Sequence, residues 1–301
     1  MALNREMWLK KLQENFFPDN SFVSKSIDDS AFVTAHRVHI PNAGAPSGVE
    51  KNRSTFPAAI GTREDHEVTY DLSIFSVDPI RVHDMTDVEL SYDKRQSIII
   101  NNRAELQRVA HNDILEQWGK GYSKVVRTSG SLDPAHTYSG ATGKRKRVTA
   151  SDVLNLKTLF DKQLVPEEGR YLLLDVDMYN AFLDGLAEGN KLAFLASADA
   201  QRGVLGRLYG FGIMSRAQVL RVKSDAETIL FGKEAHEPTE LAAGLAWQES
   251  CVSRAMGEMN LYLEEKSPVF YGDILSLDQR AGGGHRRFDK AGIALLVEGA
   301  E

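Results

Sequence analysis

The chain of 301 residues has a single cysteine, Cys251. One thiol excludes a disulfide framework and any zinc site built on several thiolates, and fits a reducing compartment or a particle assembled in one. No run approaches the roughly 18 consecutive apolar residues of a membrane span. The start, Met1-Ala-Leu-Asn-Arg-Glu6, lacks the apolar core of a secretory signal, so no membrane partner is expected. Charge of one sign is also scarce. The formal net charge is −6, the first half is nearly neutral, and the acidic excess sits in the second half. That is not the footprint of a nucleic-acid binder. There is no internal repeat and no low-complexity linker.

Catalytic signatures are missing as well. Gly140-Ala-Thr-Gly143-Lys144 lacks the glycine spacing and the following Ser/Thr of a phosphate loop. Gly206, Gly210 and Gly212 precede no strand-to-helix turn, so they form no dinucleotide fingerprint. No Ser or Cys lies in a nucleophile elbow. Cys251, in a stretch that reads as helical, is expected to be a small buried hydrophobe. Asp175 and Asp177 share one face of a strand end, but no neighbouring His or Glu in the sequence completes a metal set, and Asp177 is expected to cap the following helix. Lys144-Arg-Lys-Arg147 reads as a solvated basic loop, and Gly282-Gly-Gly-His285 as a flexible hairpin loop. No catalytic residue, cofactor or metal is therefore expected.

What is present is uneven. Hydrophobic residues make up 42% of the chain, enough for a real core. Yet the stretch from Met1 to about Glu89 is thinly apolar. Trp8, Leu9, Leu12, Phe16 and Phe17 suggest a short amphipathic helix ended by Pro18, too short to stand alone in water. An extended arm runs on to Val38-His-Ile-Pro41. Val68, Tyr70, Leu72 and Ile74 alternate strictly, as a half-buried strand does, behind a charged tip of Arg63, Glu64 and Asp65. Residues 44–88 read as a long two-stranded excursion, marginal alone and open to pairing with another chain. The first quarter thus calls for burial against something outside itself.

A long helix follows, from a Ser91 cap to about Trp118. Leu106, Ala110, Ile114 and Trp118 form its stripe, and Gly119 and Gly121 stop it. Thr149-x-x-Asp152 is a capping box before a helix whose buried face is Val153, Leu156 and Phe160. Tyr171 to Val176 reads as a buried strand, and Met178 to Leu186 as a helix. Leu208 to Met214 and Ala217 to Val222 are strand-like, and Thr239 to Met256 is an Ala-rich helical stretch. Met259 to Leu263 is a strand, Asp273 to Arg280 a strand or short helix, and Ile293 to Val297 the last strand.

The order of these elements resembles that of tailed-bacteriophage major capsid proteins of the Hong Kong 97 type. Val38-His-Ile-Pro41 resembles the close of an N-terminal arm, and Asn52-Arg-Ser-Thr-Phe-Pro57 through Asp78-Pro-Ile80 an extended loop. Glu89-Leu-Ser-Tyr-Asp-Lys-Arg-Gln-Ser97 resembles the entry to a spine helix. Thr149-Ala-Ser-Asp152, Val165-Pro-Glu-Glu-Gly-Arg170 and Met178-Tyr179 resemble the opening of an axial domain. Gly206-Arg-Leu-Tyr-Gly-Phe211 resembles a strand returning to the wall, and Glu258 to Arg280 the return to the peripheral domain.

The resemblance implies an α+β fold: an N-terminal arm (1–43), an extended β-hairpin loop (44–88), a peripheral domain with a spine helix (89–148), an α/β axial domain (149–256), and a return to the peripheral domain with the final strand (257–301). It implies a non-enzymatic shell protein that assembles with itself into hexamers and pentamers of an icosahedral capsid in a virion. Packaged double-stranded DNA inside would be touched weakly and without specificity, and a portal protein would be a partner. No region long enough for a fused scaffold precedes the arm, which implies a separate scaffolding protein or none. No Lys/Asn/Glu set suggests autocatalytic crosslinking. Interface candidates are Trp8, Leu9, Leu12, Phe16, Phe17, Arg63, Glu64, Asp65, Tyr70, Leu72 and Ile74. The alternatives are an encapsulin-like compartment shell and an oligomeric enzyme.

Overall fold

The structure is a computed structural model. It describes residues 20–54, 56, 57, 60, 62–83, 94–199, 203–217, 219–223, 229, 230 and 235–300. Its architecture is mixed α+β. The chain enters through a tight turn at Ser21–Ser24 and the short strand β1 (Ile27–Asp28). Next come β2 (Arg37–Asn42), β3 (His66–Asp71), β4 (Ser73–Ser76) and β5 (Ile80–His83), and then the long helix α1 (Lys94–Lys120). At about 1.5 Å per residue, α1 is about 40 Å long. Its expected stripe is buried: Leu106 is 3% exposed, and Ala110, Ile114 and Trp118 are fully enclosed. The expected Ser91 cap lies outside the described residues.

Strands β6 (Lys124–Arg127), β7 (Leu132–Pro134) and β8 (Lys144–Lys146) follow, then helix α2 (Ala150–Lys162). The capping box forms as expected: the Thr149 backbone N–H donates to Asp152 Oδ2 at 2.8 Å. Ser129 adds a hydroxyl bond to Asp152 Oδ1 at 2.7 Å, which ties the helix start to the preceding loop. Strand β9 (Arg170–Asp175) runs directly into α3 (Val176–Asp184), followed by α4 (Glu188–Ala196), β10 (Gly206–Leu208), β11 (Phe211–Arg216), β12 (Leu220–Val222) and β13 (Ile229–Leu230). The chain closes with β14 (Leu241–Gln248), β15 (Val252–Ser267), β16 (Gly272–His285) and β17 (Ile293–Val297).

Among the described residues, one sheet of eight strands has β14 at its centre. β14 pairs with β17 along one edge and with β9 and β12 along the other. Both faces of this sheet are buried, so period-2 alternation divides its apolar side chains between two cores rather than between core and water. Leu241, Ala243, Leu245 and Trp247 of β14 join Leu173 of β9 and Leu295 of β17 on the face packed by α1 and Phe22. Ala242, Ala246, Leu172, Leu174 and Leu296 face the opposite core, closed by Val153, Leu156 and Phe160 of α2 and by Phe182 and Phe194.

This double burial corrects the helical reading of Thr239 to Met256. Alanine favours helices intrinsically, but here the alanines line a strand buried on both faces between two cores, and its neighbour β9 lies close. A Cβ on Gly244 would stand 2.9 Å from the Leu173 carbonyl oxygen and 2.7 Å from Leu174 Cδ2. Cys251, expected within that helix, is buried in a short turn (Glu249–Cys251) before β15.

The second sheet has the order β1-β15-β16-β4, with β5 also on β16. Gly282, Gly283 and Gly284, expected in a loop, lie inside β16 and pair with Ala255, Arg254 and Ser253 of β15. They are needed because β16 passes hard against α1 and β3. A Cβ on Gly283 would stand 2.8 Å from Ile114 Cγ2 and 2.9 Å from the Ser253 carbonyl oxygen.

The expected two-stranded excursion over residues 44–88 is also revised. β3 pairs with β2, from the segment expected to be the arm, in register Val38↔Tyr70 and Ile40↔Val68. β4 and β5 leave that hairpin and join β16. The alternation from Val68 to Ile74 therefore spans two sheets, and the chain crosses between them at Leu72. Nor does all of the first quarter need outside burial. Phe22 packs edge-to-face on Trp118 at 5.9 Å, and Val38, Ile40, Val68 and Leu72 close a small core on Ala255. Among the described residues, no helix is long and apolar enough to cross a membrane.

Candidate assembly surfaces

Three surface features combine exposed apolar side chains or concentrated charge. The first is the loop carried by β2 and β3. Its base is fixed on its own chain. An outward-facing ion pair, Arg37 with Asp71 at 2.5 Å, and a 2.5 Å hydrogen bond between His39 and Glu67 brace it. Its neck closes where Asp65 takes bidentate bonds from Arg63 and a third from the Gly44 backbone N–H at 2.8 Å. The Arg63 guanidinium, followed by the Gly44 bond, holds the Asp65 carboxyl below its ordinary range. His66 stacks on Phe288 at 4.1 Å, and Asn42 donates to the Arg286 carbonyl at 2.9 Å. Beyond this neck the chain carries Val49, Phe56 and Ile60 at 98%, 75% and 99% exposure. Among the described residues, nothing covers these large side chains.

The sequence-picked interface residues divide accordingly. Arg63, Glu64 and Asp65 are exposed at the neck. Ile74 is 61% exposed on β4. Leu72 is buried in the subunit's own core. Tyr70 packs against that core and accepts a 3.3 Å bond from the Ser253 hydroxyl, and burial pushes its phenol up to about 12. Trp8, Leu9, Leu12, Phe16 and Phe17 lie outside the described residues.

The second feature is the hairpin of β15 and β16, which sequence reasoning did not single out. At about 3.3 Å per residue, the 16 residues of β15 span about 50 Å. Its outer half exposes Leu261, Tyr262 and Leu263, and its end exposes Val269, Phe270 and Tyr271. Two apolar triplets flanking Glu264-Glu-Lys-Ser-Pro268 were the available signal.

The third feature is a polar cavity of about 360 Å³ between the β7–β8 hairpin and the start of α3. Lys144-Arg-Lys-Arg147, expected as a solvated loop, instead forms β8. Arg145 is 5% exposed, and its guanidinium donates to the carbonyls of Lys144, Thr142 and Glu240. Arg147 bonds Asp133 and Asp184. The cap of α3 is Asp175, not Asp177: Asp175 Oδ1 accepts from the Asp177 backbone N–H at 3.0 Å. His136 and Glu298, remote in sequence, stand beside Asp175. Burial pushes the carboxyls of both Asp175 and Glu298 upward.

No protein-family model matches the chain, and no curated protein matches it in sequence. Solved structures do match. One from Mycobacterium phage Che8 is 16% identical, with 98% of each chain covered and a TM-score of 0.67. The Cyanophage Pam1 capsid is 12% identical, covering 99% of this chain and 96% of its own, with a TM-score of 0.70. The capsid of Ralstonia phage GP4 is also 12% identical, with the same coverage and a TM-score of 0.67. Across nearly its whole length, the chain has the fold seen in these phage structures.

Proposed function

We propose that this chain is the major capsid protein of a tailed bacteriophage, with a Hong Kong 97-type fold, and that it assembles with itself into an icosahedral shell around double-stranded DNA. The observation that carries this reading is the end-to-end likeness to phage capsid structures, which covers 99% of the chain. Residues 1–43 are the arm, and 44–88 the extended loop, rooted on β2. Helix α1 is the spine of the peripheral domain (89–148). Residues 149–256, with α2, α3, α4 and six strands of the eight-stranded sheet, are the axial domain; 89–148 and 257–301 each lend that sheet one strand, β6 and β17, and 257–301 otherwise return to the peripheral domain.

The physics of the surface supports this. A shell subunit needs broad reciprocal contacts rather than one enclosed pocket. Val49, Phe56 and Ile60 beyond the loop neck, and Val269, Phe270 and Tyr271 at the hairpin end, are apolar area that a neighbour can bury at about 25 cal/mol per Å². Many such contacts summed over a closed lattice give a stable particle from weak parts. The net charge of −6 suits a container, because a strongly basic lining would hold DNA tightly. A non-enzymatic role, virion location after assembly in the host cytoplasm, a portal protein and a separate scaffolding protein complete the proposal. The compartment-shell and oligomeric-enzyme readings are not favoured by these likenesses. Electron microscopy of the chain expressed with its scaffold tests the reading. Closed shells or ring-shaped capsomers support it, and dispersed single subunits refute it.

A further inference from the structure

At the wall of the polar cavity, where His136, Asp177 and Glu298 line it and Asp175 stands beside them, is a set of side chains that the capsid reading does not use. His136 comes from the loop after β7, Asp175 from the end of β9, Asp177 from the first turn of α3, and Glu298 from just beyond β17. His136, Asp175 and Asp177 each offer one donor atom, and these atoms all lie within 4.8 Å of one another.

Two further observations separate this from an ordinary acidic cluster. His136 Nε2 is shut off from solvent and has no hydrogen-bond partner. It stands 4.0 Å from Asp175 Oδ1. A buried imidazole nitrogen without a partner is costly unless something fills the gap. On the other side of the ring, Nδ1 faces Glu298 Oε1 at 3.5 Å. Glu298 is 4% exposed, and its other oxygen is fixed by the Ala242 backbone N–H at 3.1 Å. A buried carboxyl this close to one ring nitrogen favours the tautomer that carries the proton there and leaves the other nitrogen's lone pair free. That is the arrangement found behind metal-binding histidines.

Charge points the same way. Three carboxyls converge here; of the basic residues that also line the cavity, Arg147 is paired with Asp133 and Asp184, and two nitrogens of Arg145 donate to the carbonyls of Lys144, Thr142 and Glu240.

We propose that His136, Asp175 and Asp177 form a binding site for one divalent ion of the zinc class, with Glu298 orienting His136 from behind. One imidazole and two carboxylates suit zinc better than magnesium or calcium, which prefer all-oxygen sites. Three protein ligands leave a fourth position for water. A bound ion clamps the loop after β7, the start of α3 and, through Glu298, the chain just after β17. Residues far apart in sequence would be held at one point, so the site is a structural fastener. It is independent of whether the chain assembles.

The test uses the full chain, stripped with a chelator and titrated with zinc chloride by calorimetry, with thermal melting in parallel. The expected result is saturable binding of one zinc per chain, weaker binding of magnesium and calcium, and a melting temperature raised by several degrees. His136→Ala should weaken zinc binding at least about tenfold, whereas His39→Ala on β2 should not. If His136→Ala fails to fold, Asp177→Asn is the deciding variant, because its side chain is exposed and its loss should still weaken zinc binding. Absence of saturable binding overturns the proposal. So does zinc affinity unchanged in Asp177→Asn. Stabilisation of the zinc-free chain by mild acid, with no response to zinc, would assign the cluster to a protonated His136 bridging two carboxylates and would equally overturn it.

Discussion

The indole of Trp118, near the end of α1, donates a 2.8 Å hydrogen bond to the backbone carbonyl of Ser253 at the start of β15. The same ring packs on Phe22 and on Trp247 of the central strand β14. One side chain thus fastens the long helix to both sheets. Trp118→Phe keeps most of the apolar volume but leaves the Ser253 carbonyl without this donor. It should cost about 1–3 kcal/mol of unfolding free energy, read from the denaturant midpoint. Gly283→Ala puts a methyl group into the same contact and should cost a comparable amount through overpacking.

Core and surface positions of the loop should separate cleanly. Leu72→Ala empties part of the small core on Ala255 and should destabilise the subunit by about 2–5 kcal/mol. Phe56→Ser and Ile60→Ser remove side chains that touch little within the chain. They should leave thermal melting within about 0.5 kcal/mol of the parent, yet impair particle formation. Hydrogen exchange adds a second measurement. Amides of β3 should be protected in free subunits and particles alike, because β2 covers them. Amides of residues 43–62 should gain protection only on assembly.

Deletion of residues 1–18 removes Trp8, Leu9, Leu12, Phe16 and Phe17 and stops short of Phe22 and Val23, which belong to the main core. The deleted chain should keep its circular dichroism and melting profile and lose assembly yield. Unfolding of the truncated subunit would place those residues in its own core.

Acid stability should depend on His111, on α1. Burial, aided by the positive charges of Arg216 and Arg254, pushes its imidazole down to about 4, and its Nδ1 is buried without a hydrogen-bond partner. The unfolded chain binds this proton near pH 6.5 and the folded chain does not, so stability is lost as pH falls from about 6.5 through about 4. The loss attributable to this group should be on the order of 2–3 kcal/mol. Urea titrations of His111→Gln across this range should show a shallower decline than the parent. Parallel pH profiles would show that His111 does not carry the effect.

What was legible in the sequence follows from where periodicity is unambiguous. The α1 stripe repeats every four residues, and the Thr149–Asp152 box is local, so both could be read directly. β14 misled because a strand buried on both faces shows no alternation of polarity, and its alanines carry a helical preference that tertiary packing overrides. Gly282 to Gly284 looked like a loop because the need for bare backbone comes from Ile114, Ser253 and Tyr70, which are distant in sequence. The crossing at Leu72 left no mark, since alternation continues while the chain changes sheets. His136, Asp175 and Glu298 meet only because β9 and β17 flank β14 in one sheet.

The central claim is self-assembly into a lattice, and sedimentation velocity of the purified chain tests it most directly. Across a wide range of concentration and salt, alone and with its scaffold, the account predicts a distribution dominated by capsomers and shells. It also predicts that Phe56→Ser with Ile60→Ser shifts that distribution toward single subunits. A single monomeric species under every condition, with residues 43–62 as protected from exchange as β3, would contradict it.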